Sequence, residues 1–367
     1  MGRLPQSTKD LASQPLSSVL VFFAFSVVQI VSPDTLVGMK SFRSLSVLFS
    51  LLGAIRAMAA AQLDTNAQVA TQSPFRFGAV SGQSMGLWEG NRPVLVYNHG
   101  VISNSNAPSQ PGRATYFHPI YGLDGEVLTD DFPKDHDYHR GWYWAWPHIK
   151  TVDREYDLWS LRGIRSEFRR WLALETNSNL AILAVQNAWL TDDQEVMLET
   201  VRVEIHRASA QSRAIDLELT WSPIGQPISL WGAPGKSYGG LTLRFGPRSK
   251  TIITVPSGRA SEDLVMMKLP WADFCGDLNK AQDGLSGAAI FVHPQHPDFP
   301  PTWMTRHYGM LAVGWPGVEP KTFPARESFS CRYRLWIHRN ALSSAEIQKA
   351  YDAYCAEAKT AISHGSL

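Results

Sequence analysis

In EVMLETVRVEIHR, residues 195–207, Met197, Glu199, Val201, Val203 and Ile205 recur at every second position and are apolar but for Glu199. A period of two is the pleat of a β-strand, and it constrains this chain's fold more than any other feature. Similar runs return along the sequence: PVLVYNHGV (93–101), ATYFHPIYG (114–122), GWYWAWPHI (141–149), AILAVQNAWL (181–190), AIDLELTW (214–221), GLTLRFG (240–246), TIITV (251–255), AAIFVHP (288–294), YGMLAVGW (308–315) and CRYRLWIHR (331–339). Gly, Pro, Asn and Asp interrupt them roughly every ten residues, as in antiparallel sheets folded through short turns. Only the segment from Ser343 reads as helix. Ser343 stands as N-cap, Glu346 as its capping-box partner, and AEIQKAYDAYCAEA follows. No Gly/Ser linker or fixed-period repeat divides residues 75–340. The expected fold is all-β, one large antiparallel β-sandwich over 62–367 with a C-terminal helix over 343–357.

Residues 1–61 read differently. Their two apolar runs, 16–31 and 45–55, fall short of the roughly 20 apolar residues of a membrane-spanning helix. A basic stretch at 39–43, the leucine-rich LSVLFSLLGAI and small residues at 57–61 form the pattern of a cleaved export signal. Translation is therefore placed at Met39, with 1–38 as an upstream extension; the rival readings are a two-part leader, an uncleaved anchor, or a core helix over 45–55. The expected location is secreted or periplasmic. After residue 61 no apolar run approaches the roughly 18 residues of a span, so the mature chain is expected to have none. The chain carries a formal charge of +1, and residues 1–61 hold five basic against two acidic side chains, which leaves −2 for the rest. No basic face for nucleic acid is expected. Cys275, Cys331 and Cys355 allow at most one internal disulfide, and each reads as a small buried apolar side chain.

Chemistry concentrates in DHDYHRGWYWAWPH, residues 135–148. On one continuous strand, Trp142, Trp144, Trp146 and His148 would share a face opposite Tyr143 and Ala145. Such a face suits sugar rings, although the same indoles could fill a core. FPKDHDYHRG, between Pro133 and Gly141, reads as a loop in which His136 and His139 can converge, with His118 reaching in from a neighbouring strand end. Two chemistries are open. His118, His136 and His139 could hold a divalent metal ion with Asp130, Asp131 or Asp135 behind them, or His136 and His139 could be a metal-free acid/base pair with Arg140 steadying an anion. The alternative is histidines satisfied by backbone and an arginine in a structural ion pair. Glu199, on the apolar face of its strand, reads as an ion-pair partner for Arg244, with general base as the second reading. Asn98, His99, Lys236, Arg306 and His307 lie near turns where they could line the same cleft, and Tyr138 stands between the paired histidines. His293 and His296 are placed in an exposed loop without a role.

RATYFHPIYGLDGEVLTDDFPKDHDYHRGWYWAW (113–146), KSYGGLTLRF, HPQHPDFPPTWMTRHYGMLAV and FSCRYRLWIHRNALSSAEIQKAY together resemble a bacterial family often labelled "methane oxygenase PmoA" and treated as a domain of unknown function. The similarity spans nearly the whole mature chain. It implies a galactose-mutarotase-like β-supersandwich, an architecture used by sugar epimerases, polysaccharide lyases and carbohydrate-binding modules. A membrane-embedded methane monooxygenase subunit needs several apolar spans, which this chain lacks after residue 61. Many relatives carry His-His before Arg-Gly, where this chain has Tyr138-His139; that weakens a metal reading and leaves a phenol in its place. Three functions follow as expectations. The first is an exported enzyme on carbohydrate acting by proton transfer, with His136, His139, Arg140, His118 and His307 in the chemistry and the tryptophans, His148, Tyr138, Asn98, His99, Arg306 and Lys236 on the substrate. In that reading alanine at His139 abolishes turnover without moving the melting temperature. The second is a glycan-binding module, in which Trp144→Ala weakens binding. The third is a metal-dependent oxygenase.

Overall fold

The computed structural model describes residues 73–107, 111–279 and 284–364, without the side chains of Asn279 and of 361–364. The start site, extension and export signal read at 1–61 lie outside these residues. Among the described residues twenty-two strands form three antiparallel sheets, followed by one helix. From edge to edge the first sheet comprises β1 (Phe75–Ser81), β2 (Ser84–Glu89), β3 (Arg92–Asn98), β4 (Tyr116–Ile120), β5 (Trp142–Ala145), β13 (Gly240–Arg244), β20 (Met310–Gly314), β19 (Thr302–Arg306) and β16 (Val265–Lys268). The second comprises β15 (Gly258–Ala260), β14 (Thr251–Val255), β17 (Trp271–Asn279), β18 (Gly284–Val292), β22 (Phe329–Arg339), β11 (Ser212–Pro223), β10 (Gln194–His206), β9 (Leu180–Thr191) and β8 (Arg165–Thr176). A small third sheet joins β21 (Lys321–Phe323), β12 (Ile228–Trp231), β6 (His148–Thr151) and β7 (Arg154–Tyr156). The all-β sandwich with a C-terminal helix is thus the architecture of the chain.

Burial follows the alternation that the sequence carries. Along β11 every second side chain is buried and its neighbours half-buried, and β10 repeats the pattern. Val201, Val203, Ile205, Ile215, Leu217 and Leu219 point inward and are essentially inaccessible. Each such side chain stabilises the fold by roughly 1.5–3 kcal/mol relative to exposure.

The centre of the first sheet differs. β5, β13 and β20 are buried at every position, so both faces of that sheet are covered. Its inner face meets the second sheet, where Trp144 Nε1 donates to Glu199 of β10 at 2.7 Å and Tyr97 Oη lies 3.2 Å from Asn187 Oδ1 of β9. Its outer face is covered by loops. The Tyr143 ring lies 5.4 Å from the Trp159 ring, and the Arg244 guanidinium lies 4.8 Å from the Tyr308 ring.

GWYWAWPH does not form one strand. β5 ends at Ala145 and β6 begins at His148 in another sheet, with Pro147, which has no N–H to donate, at the break. His148 therefore leaves the company of the tryptophans. The helix α1 (Ser344–His364) runs seven residues past the expected end at 357. Its capping box forms as spaced: Ser343 N–H donates to Glu346 Oε2 at 2.8 Å and Glu346 N–H to Ser343 Oγ at 3.3 Å. Ile347, Tyr351 and Tyr354 pack on Trp271, Ala289 and Phe291, which anchors the helix to the second sheet. All three cysteines are free. His293 and His296 are buried, not exposed as expected, because His296 Nε2 lies 3.2 Å from Tyr333 Oη and both rings pack beside Tyr354 and Trp315.

Candidate functional site

The loop before β5 winds through two successive turns. His136 N–H donates to Pro133 O at 3.1 Å and His139 N–H to His136 O at 2.8 Å. That coiling brings side chains three residues apart to one side. The imidazoles of His136 and His139 lie nearly parallel with centroids 4.8 Å apart. Tyr308, from the turn between β19 and β20, places its ring 4.6 Å from His136 and 6.4 Å from His139. Tyr138 meets His139 edge-on at 4.8 Å, and Trp159 does so at 5.7 Å. Gly141 permits the loop's close approach to β4, since a Cβ there would stand 2.2 Å from Phe117 O.

Charge is arranged around these rings. Arg244 Nη2 donates to both oxygens of Asp135, at 2.6 and 2.9 Å. His136 Nδ1 lies 3.1 Å from Asp135 Oδ2, an ion contact at an angle too poor for a hydrogen bond. Burial works to raise the Asp135 carboxyl, but the hydrogen bonds and charge of Arg244, with the nearby His136 ring, outweigh it and hold the group at about 2. His139 is only 2% exposed and its Nδ1 has no hydrogen-bond partner. Burial, reinforced by the charge on Arg244, pushes its imidazole down to about 2. At 2% exposure the ring has no open access to a ligand, which argues against the acid/base role expected for His139.

Arg140 is also reassigned. It is 1% exposed, its Nη1 donates to the carbonyls of Asp137 (2.7 Å) and His139 (2.8 Å), and its Nη2 donates to Pro111 O at 3.3 Å. The guanidinium lies 3.5 Å from the centroid of the Phe132 ring. With those donors turned to backbone it fastens the histidine loop. Asp131 lies beside it, Oδ1 3.7 Å from Arg140 Nε, while Tyr116 Oη donates to Oδ2 at 2.8 Å. Burial pushes the Asp131 carboxyl up to about 6 against the pull of Arg140 and Tyr116.

The remaining expected residues scatter. His118 Nδ1 lies 3.0 Å from Thr129 Oγ1, and burial beside Arg140 pushes its imidazole down to about 4. Among the described residues no three His, Cys, Asp or Glu side chains are grouped to hold a metal ion, so His118, His136 and His139 do not form the expected ligand set. His307 turns away: its Nδ1 lies 2.7 Å from Asp263 Oδ1 and its Nε2 3.3 Å from Ala260 O, and Tyr308 enters the cluster instead. Arg306 Nη1 donates to Thr305 O at 3.0 Å. Asn98 is spent between strands, accepting from Ser84 Oγ at 2.7 Å and donating to His118 O at 2.9 Å. His99 packs on Phe168 and Trp171 of β8. His148 stacks on Trp231 at 5.1 Å and pairs with Glu155 at 2.6 Å. Lys236 is exposed in a turn.

The aromatic platform is the largest correction. Trp142, Trp144 and Trp146 are 0%, 4% and 0% exposed. Trp146 Nε1 donates to Trp315 O at 2.6 Å, and Trp144 packs on Phe117 in the sandwich interior. Glu199 explains the direction of Trp144. Its carboxylate accepts from the indole N–H groups of Trp144, Trp189 (3.0 Å) and Trp221 (2.9 Å) and from Asn187 Nδ2 (2.9 Å), and the expected pairing with Arg244 does not occur. Burial raises this carboxyl, and the four donors pull it back.

Residues 86–352 match a family described as "Family of unknown function (DUF6807)". The chain belongs to that family. No curated protein matches it. Among solved structures, a galactose mutarotase related enzyme from Lactobacillus acidophilus is similar at TM-score 0.29 and 7% identity, covering 72% of this chain and 97% of that one. At that score no residue of the DUF6807 chain takes a role from the other protein.

Some members of the DUF6807 site escaped the sequence. Tyr143 sits on the outer face because the tryptophans beside it face inward, so the alternation was legible and its orientation was not. Tyr308 was adjacent to the histidine that drew attention. Arg113 and Trp159 are single residues in loops, and nothing in their neighbours marks them.

Proposed function

We propose that this protein binds a carbohydrate at the loop-covered outer face of the first sheet and moves a proton on it through His136. The observation that carries the reading is one imidazole, 29% exposed, backed by the Asp135 carboxylate at 3.1 Å. Arg244 fixes that carboxylate, and the rings of Tyr138 and Tyr308 flank the imidazole. With Nδ1 turned to Asp135, Nε2 is the nitrogen left for a ligand. The carboxylate orients the ring and stabilises the imidazolium formed when a proton is taken, the logic of an acid–base dyad. His139 stays neutral beside it and stacks on the His136 ring. Tyr138 and Tyr308, both half-buried, offer flat apolar faces to sugar C–H groups, a task expected of the tryptophans and not open to them. Epimerisation, mutarotation and β-elimination all need one such proton transfer. The signal-like pattern at 39–61 supports a secreted or periplasmic place of action, and among the described residues no helix is long and apolar enough to cross a membrane.

The test is incubation of the purified protein with a panel of sugars in D2O, read by NMR and mass. Incorporation of deuterium or formation of product, lost in His136→Gln at unchanged melting temperature, is the expected result. Binding without exchange or product for every sugar would instead make the protein a glycan-binding module.

A further inference from the structure

On the helix-bearing face of the second sheet, His338 and Asp273 form a buried pair. Their side chains are each 1% exposed, and His338 Nε2 lies 2.8 Å from Asp273 Oδ1. The other ring nitrogen, Nδ1, lies 3.1 Å from the carbonyl of Arg339. A carbonyl only accepts, so Nδ1 carries a proton; an ionised carboxylate also only accepts, so Nε2 then carries another. The two residues are not on neighbouring strands. β17 and β22 flank β18, and the ring bridges it over Gly287, where a Cβ would stand 2.8 Å from His338 Cε1 and Nε2. A side chain at 287 would displace the ring from this path.

The pair sits where the helix docks. Trp271 and Trp336 stand two residues before Asp273 and His338 on the same strands, so all four share a face. Trp271 packs on Ile347, Tyr351 and Tyr354 with Trp336 beside them, and its Nε1 donates to Gln348 Oε1 at 2.8 Å. Just past His338 the chain turns toward α1 through Asn340, whose N–H donates to Leu285 O at 2.7 Å and whose carbonyl accepts from Cys275 Sγ at 3.4 Å.

We propose that His338 is a buried imidazolium whose pairing with Asp273 latches the start of α1 to the second sheet, so that loss of the ring proton loosens the helix. A buried carboxylate needs a counter-charge, and Asp273 Oδ2 already has no partner. Burial works against the charged ring, but the Asp273 charge and the hydrogen bonds to Asp273 and to the backbone of Arg339 and Asn340 outweigh it and raise the imidazole above its ordinary 6.5. The surrounding groups do not replace this pairing. Cys275 on β17 is a thiol that burial, with Asp273 beside it, pushes up to about 12, and Arg259 of β15 acts on that thiol. Glu346, in the first turn of α1, adds a negative charge that favours the imidazolium. The Arg339 guanidinium is turned to Asp124 and to Ala210 O, and β18 offers only Gly287 and Ala289 here. Because the folded value is raised, the stabilisation is complete below about 6.5 and is lost as pH rises through the folded value.

The ring is tested first. Side-chain 15N–1H spectra of the unaltered protein at pH 7.5 should show both His338 nitrogens protonated, and one bare nitrogen overturns the proposal. The latch is tested by hydrogen exchange of the α1 amides, corrected for intrinsic rates and set against those of β10. From pH 7 to pH 8 the helix-opening equilibrium should rise several-fold, with about tenfold as the ceiling for one proton released on opening. His338→Gln should open more readily at pH 7 and lose that slope, and Asp273→Asn should leave the His338 ring neutral. Helix protection that ignores pH in the unaltered protein, or a slope that survives His338→Gln, overturns the latch. Should either variant fail to fold, the ring spectrum and the helix protection of the unaltered protein decide between the outcomes.

Discussion

Glu199 and Arg113 are both charged side chains buried against the first sheet, one on each face, and their surroundings could hardly differ more. Glu199 sits between the sheets with four N–H donors at 2.7–3.0 Å from Trp144, Trp189, Trp221 and Asn187. Arg113 sits under the outer loops with backbone carbonyls for company and a bare Nε. Several other buried polar atoms without partners lie on the same side as Arg113, namely Asp131 Oδ1, His139 Nδ1, Tyr143 Oη and Arg244 Nε, whereas the inner face has Trp142 Nε1 and the second sheet has Arg213 Nη1, Thr254 Oγ1 and Asp273 Oδ2. A polar group that must never change is satisfied by the fold itself, whereas one that meets a ligand keeps capacity in reserve. By that criterion the Glu199 cage is scaffold, and the outer face around His136 is the candidate site.

The largest effect should come from breaking the scaffold. Trp144→Ala removes a fully packed indole and one donor to Glu199, and equilibrium urea unfolding should show a loss of about 3–5 kcal/mol. Trp144→Phe keeps most of the ring and removes only the N–H, for which about 1–3 kcal/mol is expected. If Trp144→Ala instead left stability intact and abolished ligand binding, the division between the faces would be wrong.

Next comes the site's own working group. His136→Gln should lower any proton-exchange rate by about 10²–10⁴-fold, the usual contribution of a positioned acid or base. Its ring is 29% exposed and its partner Asp135 keeps Arg244, so the unfolding free energy should move by less than about 1 kcal/mol. An equal loss of stability and activity would make His136 one more scaffold residue.

These contrasts also mark what the sequence could convey. Period-two alternation is a property of strands with one face in the core, so β10 and β11 were plain from EVMLETVRVEIHR and AIDLELTW. The edge strand β8 buries no position fully: RSEFRRWLALET is exposed or half-buried throughout, with Phe168 and Trp171 only partly covered by the core and ion pairs such as Arg169–Glu195 beside them, and its pattern is correspondingly blurred. Alternation gave the two faces of β5 but not which one looks inward, because Trp142, Trp144 and Tyr143 are all aromatic and all buried. What decides is Glu199, more than fifty residues away, whose acceptor capacity the indoles fill. Likewise the meeting of His136 with His139 was within reach of the local spacing, while the entry of Tyr308, Trp159 and Arg113 depends on loops whose docking no local signal encodes.

A smaller and sharper contrast is carried by pH. Burial and Arg244 lower the His139 imidazole from 6.5 to about 2 in the folded protein. Below pH 6.5 the unfolded chain therefore binds a proton that the folded one refuses, and stability falls as pH drops from there toward 2. Between pH 7 and pH 5 this one residue should cost about 2 kcal/mol. His139→Gln should lower stability at pH 7 and flatten that part of the profile, as measured by urea unfolding at both pH values. His118, at about 4, adds to the same decline over its own range, and Asp131, at about 6, opposes it, because a carboxyl raised by burial favours the folded state at lower pH. The difference between the variant's slope and the parent's isolates His139 from both.

The smallest expected change is also the one that distinguishes two uses of the same ring. The Tyr308 hydroxyl touches only Met310 Sδ, at 3.8 Å, while the ring stacks at 4.6 Å on His136 and lies under the Arg244 guanidinium at 4.8 Å. Burial pushes the phenol up to about 12, against the charge on Arg244, so it holds its proton through the physiological range. If Tyr308 contributes a face, Tyr308→Phe leaves ring, stacking and cation contact in place, and both stability and ligand affinity should stay within about 0.5 kcal/mol of the parent. Tyr308→Leu removes the flat ring at similar bulk and should weaken ligand binding while leaving the Glu199 cage untouched. A large loss in Tyr308→Phe would mean that the hydroxyl itself meets the ligand, and the outer face would then hold one more polar group in reserve than its hydrogen bonds reveal.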